Sequence, residues 1–291
     1  MKLFFMKTIY KTLFILSLLF FTFSCDNTDE NGNTNNEQLA YYEELDIAYG
    51  TDSNQVFDLY LPENRTEDTK VILLIHGGGW TSGDKEDMNE FKNYILQNLP
   101  DIAVVNINYR LANQTTQAYP MQINDITTVV NYLKNRQSEY VISDDLGFVG
   151  ASAGAHLSML WSYAFDTDQQ TKMVCSIVGP TDFTDPAYMN STDPILQAIL
   201  STYGVDTSTA FLEEVSPYHQ VTASAPPTIL FYGGQDPLIP TTQGTVLKDK
   251  LEDLGVIHDF TLYENEGHGW TGLNLIDTTI KLHTFIEAHL N

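Results

Sequence analysis

Leu146-Gly147-Phe148-Val149-Gly150-Ala151-Ser152-Ala153-Gly154-Ala155-His156-Leu157-Ser158-Met159-Leu160-Trp161 is the stretch on which the reading of the fold turns. Its first four residues form a short apolar run, and from Ala155 onward helix formers and apolar residues recur at helical spacing. Ser152 therefore sits where a strand turns sharply into a helix. Glycine two positions before and two positions after it has a steric cause. The turn brings neighbouring backbone so close that a Cβ at either position would clash, and Ser152 itself is held in a strained conformation. The result is a hydroxyl pushed out at the top of a sheet, at a helix N-terminus that favours developing negative charge. Alone, Gly-x-Ser-x-Gly is a weak signal, because small residues are common in turns. Its weight depends on finding partners elsewhere in the chain.

Outward from this turn, Val71–Ile75 is continuously apolar, which predicts a central strand covered on both faces. Ile102–Ile107, Met173–Val178, Thr228–Tyr232 and Asp259–Tyr263 read as further strands. Tyr42–Ala48 and Gln55–Leu61 are predicted as a pair joined by the turn residues Gly50 to Asn54. The second of them alternates as a half-buried antiparallel edge does, and Pro62 ends it. Asp84 is placed to cap a helix running to about Leu99. Tyr119-Pro120-Met121 opens another, with Ile123, Ile126, Val130 and Leu133 on one face; Thr241–Leu254 and Ile276–Leu290 complete the set. Buried strands alternating with helices mean an α/β fold, a mainly parallel central sheet with an antiparallel N-terminal edge and helices on both faces. One domain is expected over 42–291. Within it, residues 181–225 are irregular, with short helical patches such as Ile195–Leu200, and read as an insertion or lid above the strand ends. In open α/β sheets the functional loops lie at the carboxyl ends of the strands.

A serine nucleophile needs a base, and the chain has seven histidines. His283 and His289 fall on the closing helix, His258 just before the last strand, and His219 in the irregular insertion. His156 lies one helical turn beyond Ser152, and His76 belongs to a glycine loop where a structural role is expected. His268 follows the last strand in Glu264-Asn265-Glu266-Gly267-His268-Gly269-Trp270, with glycines that let the ring approach another loop. It is the expected base. The acid should also follow a strand, and Asp236 does so in Gly233-Gly234-Gln235-Asp236-Pro237, with Asp182 in Gly179-Pro180-Thr181-Asp182 as its rival. The chain order Ser152, Asp236, His268 is the one in which acid follows nucleophile and histidine comes last. Gly77, Gly78 and Gly79, after the central strand, can turn backbone N–H groups toward one point. Gly77 and Gly78 with Ala153 are the expected oxyanion donors. This chemistry calls for no metal and no cofactor.

These residues resemble the α/β-hydrolase superfamily, and within it the esterases with a His-Gly-Gly-Gly loop. The closer likeness is to the group with His-Gly-Gly-Gly-Trp followed by Gly-Asp-Lys, here His76 to Trp80 and Gly83-Asp84-Lys85. Asn108-Tyr109-Arg110-Leu111, Ile123-Asn124-Asp125-Ile126, Ser216-Pro217 and Pro226-Pro227-Thr228-Ile229-Leu230 match as well. The chain is thus similar to acetylxylan- and feruloyl-esterase-like lipoproteins, and more distantly to kynurenine formamidases and hormone-sensitive-lipase-like esterases. The likeness covers about Leu45 to Leu290. Ala155 departs from it, since many relatives carry a further Gly there. The resemblance implies a serine carboxylic-ester hydrolase working through an acyl-enzyme on short acyl esters such as acetylated polysaccharide. The alternatives are a lipase, a peptidase, an arylformamidase, or a binding protein on a hydrolase fold that has lost its chemistry.

The formal charge of −24 would repel nucleic-acid phosphates, so no nucleic-acid partner is expected. Lys2, Lys7 and Lys11 precede the apolar run Leu13 to Phe23, which ends at Ser24-Cys25. This is a targeting segment, too short for a comfortable span, and it resembles a bacterial lipoprotein signal. Thr22 departs from that pattern, where Leu is commoner, and an ordinary secretory signal is the alternative. The expectation is a signal peptide over 1–24, lipidation at Cys25, a disordered tether over 25–41, and an outer-membrane or cell-surface location in a Gram-negative bacterium. Membrane association is expected only through that anchor. Asp26 to Gln38 has no apolar side chain to bury. Cys175, in an apolar run, is expected in the core and without a disulfide partner once Cys25 is acylated.

Overall fold

Eight strands pair into one sheet in a computed structural model that describes residues 39–192, 194, 197, 203 and 208–290. The expected signal peptide, Cys25 and most of the expected tether lie outside the described residues, as does the patch Ile195–Leu200 apart from Gln197. The strands are β1 (Tyr42–Ala48), β2 (Val56–Leu61), β3 (Val71–Ile75), β4 (Ala103–Ile107), β5 (Leu146–Ala151), β6 (Thr171–Ile177), β7 (Thr228–Gly233) and β8 (His258–Tyr263). Their order is β1-β2-β4-β3-β5-β6-β7-β8. β2 pairs antiparallel with both β1 and β4, and every other pairing is parallel, so β2 alone runs against the rest. The five longest described helices are α1 (Asn89–Asn98), α2 (Met121–Lys134), α3 (Ala153–Ala164), α4 (Thr241–Leu254) and α5 (Leu273–His289).

Side chains alternate across a strand, and here the alternation divides the core in two. Leu73, Ile75, Val105 and Phe148 pack with Ile126 of α2, Leu157 of α3 and Leu247 of α4 on one face. Ile72, Leu74, Val104 and Val149 pack with Ile95 of α1 and Leu282 and Phe285 of α5 on the other. Phe183, Tyr188, Tyr203, Leu212 and Val215, from the stretch 181–225, are buried in the first cluster. Cys175 is fully buried and unpaired, and burial pushes its thiol up.

β2 corrects one expectation. It is not the half-buried edge its alternation predicts: β1 is the exposed edge, and β2 is buried along most of its length. Its polar position is neutralised instead of solvated. The Asp58 carboxylate lies 2.9 Å from Lys85 Nζ and accepts the Asp46 N–H at 2.9 Å. Alternation reports a polar face, and an ion pair can satisfy that face as water does. At the helix ends the differences are small. Asp84 caps a short 3₁₀ turn, Lys85–Met88, that leads into α1, and α5 starts at Leu273 rather than Ile276.

His156, one turn into α3, is fully buried among Trp80, Phe183 and Tyr203, with Nε2–H donating to the Val215 carbonyl at 2.8 Å. Burial pushes its pKa down to about 4. The unfolded chain takes up a proton on this ring near 6.5, while the folded chain stays neutral until about 4. Acid therefore favours unfolding across that window, by roughly 3 kcal/mol at its lower end. His156→Gln, which can keep a donor toward Val215, is expected to flatten the fall in unfolding free energy between pH 7 and 4.5 measured in urea. An unchanged slope would assign the acid sensitivity to other groups.

Candidate active site

Ser152 stands just before α3 with φ 51° and ψ −119°, in the left-handed region. A non-glycine residue there is strained and persists only when its surroundings leave no alternative. Those surroundings are visible. Ser152 N–H donates to Ile177 O at the end of β6 (2.7 Å), and its carbonyl accepts from His156 N–H (3.1 Å). A Cβ on Gly150 would run into Gly154 O, and one on Gly154 into the carbonyl oxygens of Ile75 and His76. The two glycines are thus required by close approach of backbone from α3 and β3.

The strand ends bring three distant residues into one row. His268 Nε2 lies 2.9 Å from Ser152 Oγ, and His268 Nδ1 lies 2.7 Å from Asp236 Oδ2. The other Asp236 oxygen accepts the N–H groups of Leu238 (2.8 Å) and Ile239 (3.0 Å), and the carboxylate is 1% exposed. One oxygen is therefore locked by its own loop, and the second is left to face the ring. A carboxylate only accepts, so Nδ1 carries the proton and Nε2 is free to accept from the serine hydroxyl. Asp182 meets a different set of partners. Its Oδ1 accepts from Thr184 N–H (2.8 Å) and Thr184 Oγ1 (2.6 Å) and lies 3.3 Å from His219 Nε2, so it braces its own turn. The remaining histidines are held elsewhere: His258 against the Val256 carbonyl, His283 between Tyr94 and Glu287, and His289 against the Phe285 ring.

The glycine loop is oriented by a residue to which the sequence reading assigned no role. Tyr109 Oη–H reaches the carbonyls of His76 (2.8 Å) and Gly77 (3.3 Å), and His76 Nδ1–H donates to Gly77 O (2.7 Å). Gly78 O accepts from Thr81 N–H, Ser82 N–H and Ser82 Oγ. Because each peptide is planar and trans, the N–H groups of Gly77, Gly78 and Gly79 point the opposite way from these carbonyls. A Cβ on Gly77 would lie 3.1 Å from Ala151 O and 3.2 Å from Ser152 Cβ, so the loop rests directly on the serine turn. Ala153 opens α3, and a helix leaves its first N–H groups without internal acceptors. The His76 ring is buried and stacked on Tyr109 at 4.2 Å, and burial lowers its pKa. Asn108-Tyr109-Arg110 and Gly83-Asp84-Lys85 turn out to be one brace. Asn108 bonds Asp84 and the Lys85 N–H, while Arg110 pairs with the fully buried Asp125 carboxylate at 2.6 Å.

Ser152 opens into a cavity of about 620 Å³. Gly78, Gly79, Ala153 and His268 line its polar side; Phe91, Ile177, Val178, Leu238, Ile239, Trp270 and Leu275 make the rest apolar, with Glu90 also on its wall. Trp270 is fixed by its indole N–H donating to Thr278 Oγ1 at 2.8 Å and by the Tyr263 ring at 4.8 Å. The arrangement can take a proton from a hydroxyl at the floor of an apolar pocket and offer backbone donors to an oxygen beside it. Among the described residues no group of three or more His, Cys, Asp or Glu is placed to hold a metal ion.

Comparison with known proteins agrees with this architecture. Residues 57–251 match the family model described as BD-FAE. The "Probable carboxylic ester hydrolase LipM" of Mycobacterium tuberculosis is 28% identical over 232 residues, covering 74% of this chain and 53% of that protein. "Esterase LipC" of the same organism is 25% identical over 226 residues, covering 70% and 54% respectively. The chain thus spans about half the length of these curated relatives. A solved structure described as a truncated form of carbohydrate esterase from gut microbiota superposes with a TM-score of 0.69 at 20% identity, over 86% of this chain and 99% of its own. At that identity the likeness establishes the fold. With the strand order above and the family model matched from β2 to α4, this chain belongs to the BD-FAE family and has the α/β-hydrolase fold.

Proposed function

We propose that the protein is a carboxylic ester hydrolase that works through an acyl-enzyme on Ser152 and acts on short acyl esters such as those of acetylated polysaccharide. The observation that carries this reading is the hydrogen-bonded row Ser152–His268–Asp236 at the floor of an apolar cavity. His268 Nε2 takes the serine proton as Oγ attacks the ester carbonyl carbon. Asp236 holds the ring in the tautomer that can accept, and stabilises the cation once it forms. The carbonyl oxygen, now negative, lies among the N–H groups of Gly77, Gly78 and Ala153. His268 returns the proton to the departing alcohol, and water then releases the acid from Ser152 by the same sequence of steps.

Carbohydrate ester as the substrate is a reading carried from the gut-microbiota neighbour's description to this chain, and the strong negative charge fits an uncharged substrate better than an anionic one. With this goes a proposed export route through the N-terminal signal and a lipid at Cys25, which would hold the enzyme at the outer membrane or cell surface. Incubation with diethyl p-nitrophenyl phosphate tests the acyl-enzyme. Attack by Ser152 Oγ expels p-nitrophenolate and leaves a diethylphosphoryl group, so intact-mass and peptide analysis should find one adduct per chain, on Ser152. Continued hydrolysis of p-nitrophenyl acetate without an adduct at that residue would sink the reading. Rates on acetylated xylan beside feruloyl and longer-chain esters decide the acyl group.

A further inference from the structure

We infer that the groove between α1 and α5 holds the alcohol side of the substrate, and that its occupant is a neutral, extended, hydroxyl-rich chain such as an oligosaccharide. The inference rests on Ser152 being the reacting group. A second cavity, of about 400 Å³, adjoins the one at Ser152, and Glu90 and Leu275 line both. These two residues lie in the first turns of α1 and α5, so both helices begin at the wall of the cavity into which Ser152 opens, and the groove continues from that wall along them.

The two walls differ in chemistry. Glu90, Asn93, Tyr94 and Gln97 fall on one face of α1 and present a carboxylate, two amides and a phenol ring to the groove. Tyr94 is held edge-on against the His283 ring, with its Oη 3.5 Å from Nδ1. Opposite stand Ile276 and Ile280 of α5, 54% and 55% exposed, beside Leu275 and Thr279, whose hydroxyl donates to the Ile276 carbonyl of its own helix at 2.9 Å. A sugar ring has apolar C–H faces and a rim of hydroxyls, and these walls match both at once. An alkyl chain in the same place would cover Asn93, Gln97 and Glu90 and leave them without hydrogen-bond partners. An anionic chain would meet Glu90 at the entrance in a protein of charge −24, and no Lys or Arg lines the groove.

Chain-length dependence tests this on the full-length protein. kcat/KM is measured for monoacetylated xylose, xylobiose and xylotetraose, each divided by kcat/KM for p-nitrophenyl acetate, which is too short to occupy the groove. The ratio should rise about tenfold or more from xylose to xylotetraose, carried by KM. In Asn93→Ala/Gln97→Ala that rise should shrink to within about threefold; alanine on an exposed helical face keeps the helix, and circular dichroism checks it. A flat ratio in the wild type, or a rise that the double variant retains in full, overturns the proposal. So does a wild-type preference for p-nitrophenyl palmitate that the double variant strengthens, which would make the groove an acyl-chain slot. If p-nitrophenyl acetate is not turned over at all, the failure falls on the ester-hydrolase reading. The groove is then judged by titration with unacetylated xylotetraose, where binding that the double variant abolishes supports it and no binding overturns it.

Discussion

Ser152→Ala should lose on the order of 10⁴-fold or more in kcat on p-nitrophenyl acetate, with the fold intact. In the proposed mechanism Oγ is the atom that bonds to the acyl carbon, and the row through His268 to Asp236 moves its proton. With Oγ removed, Nε2 loses its partner and the acyl-enzyme cannot form. What remains is the cavity and the N–H groups of the glycine loop, which can bind an ester and polarise it without a nucleophile. The substitution should leave the turn in place, because φ of 51° at residue 152 is imposed by Gly150, Gly154 and the bond to Ile177 O, none of which involves the side chain. Steady-state rates and a melting curve measured together check this. A variant that folds and keeps a tenth of the activity would remove Ser152 from the mechanism.

Asp236→Asn should cost on the order of 10³- to 10⁴-fold in kcat with KM little changed, while Asp182→Asn stays within about tenfold. The asymmetry comes from which oxygen does what. In the Asp236→Asn variant the new amide oxygen would keep the Leu238 and Ile239 N–H groups, because those donors demand an acceptor. The NH₂ group would then face His268 Nδ1 and could only donate to it. The ring proton would move to Nε2, where it points at Ser152 Oγ and cannot accept from it. The site would be assembled around the wrong tautomer. Asp182 has no bond to His268; its partners are Thr184 and His219, so its loss loosens a turn and leaves the ring proton in place. The opposite ranking of the two variants would move the acid to the loop after β6.

Much of the architecture is local in origin and therefore legible in one dimension. A run such as Val71–Ile75, apolar at every position, has to be covered on both faces, and glycine on either side of a serine between a strand and a helix points to a forced turn. Helix α2 shows its buried face at the spacing of Ile123, Ile126, Val130 and Leu133. Where periodicity misled, a long-range pair was responsible. β2 alternates like an edge, yet Lys85 supplies to Asp58 what water supplies at a true edge. Tyr109 stands in sequence only as part of the stretch Asn108-Tyr109-Arg110-Leu111, with no role of its own. Only the folded chain shows its hydroxyl holding two carbonyls of the glycine loop, because the loop follows β3 and Tyr109 follows β4, and these are neighbours in the sheet.

By itself, then, the order of residues determined that this chain builds a mainly parallel sheet with a serine turn, a glycine loop and late acidic and histidine loops at its strand ends. Those features depend on neighbours a few positions apart, on side-chain periodicity and on glycine sterics. The tertiary structure decided which carboxylate meets which histidine, which backbone groups are turned by Tyr109, and that the first turns of α1 and α5 open onto the same cavity. Each of those is a matter of a few ångströms between groups such as Ser152 and His268, 116 positions apart in the chain. Hydrogen bonds and shared cavities depend on such distances, and only the packing of the two helical layers on the sheet sets them.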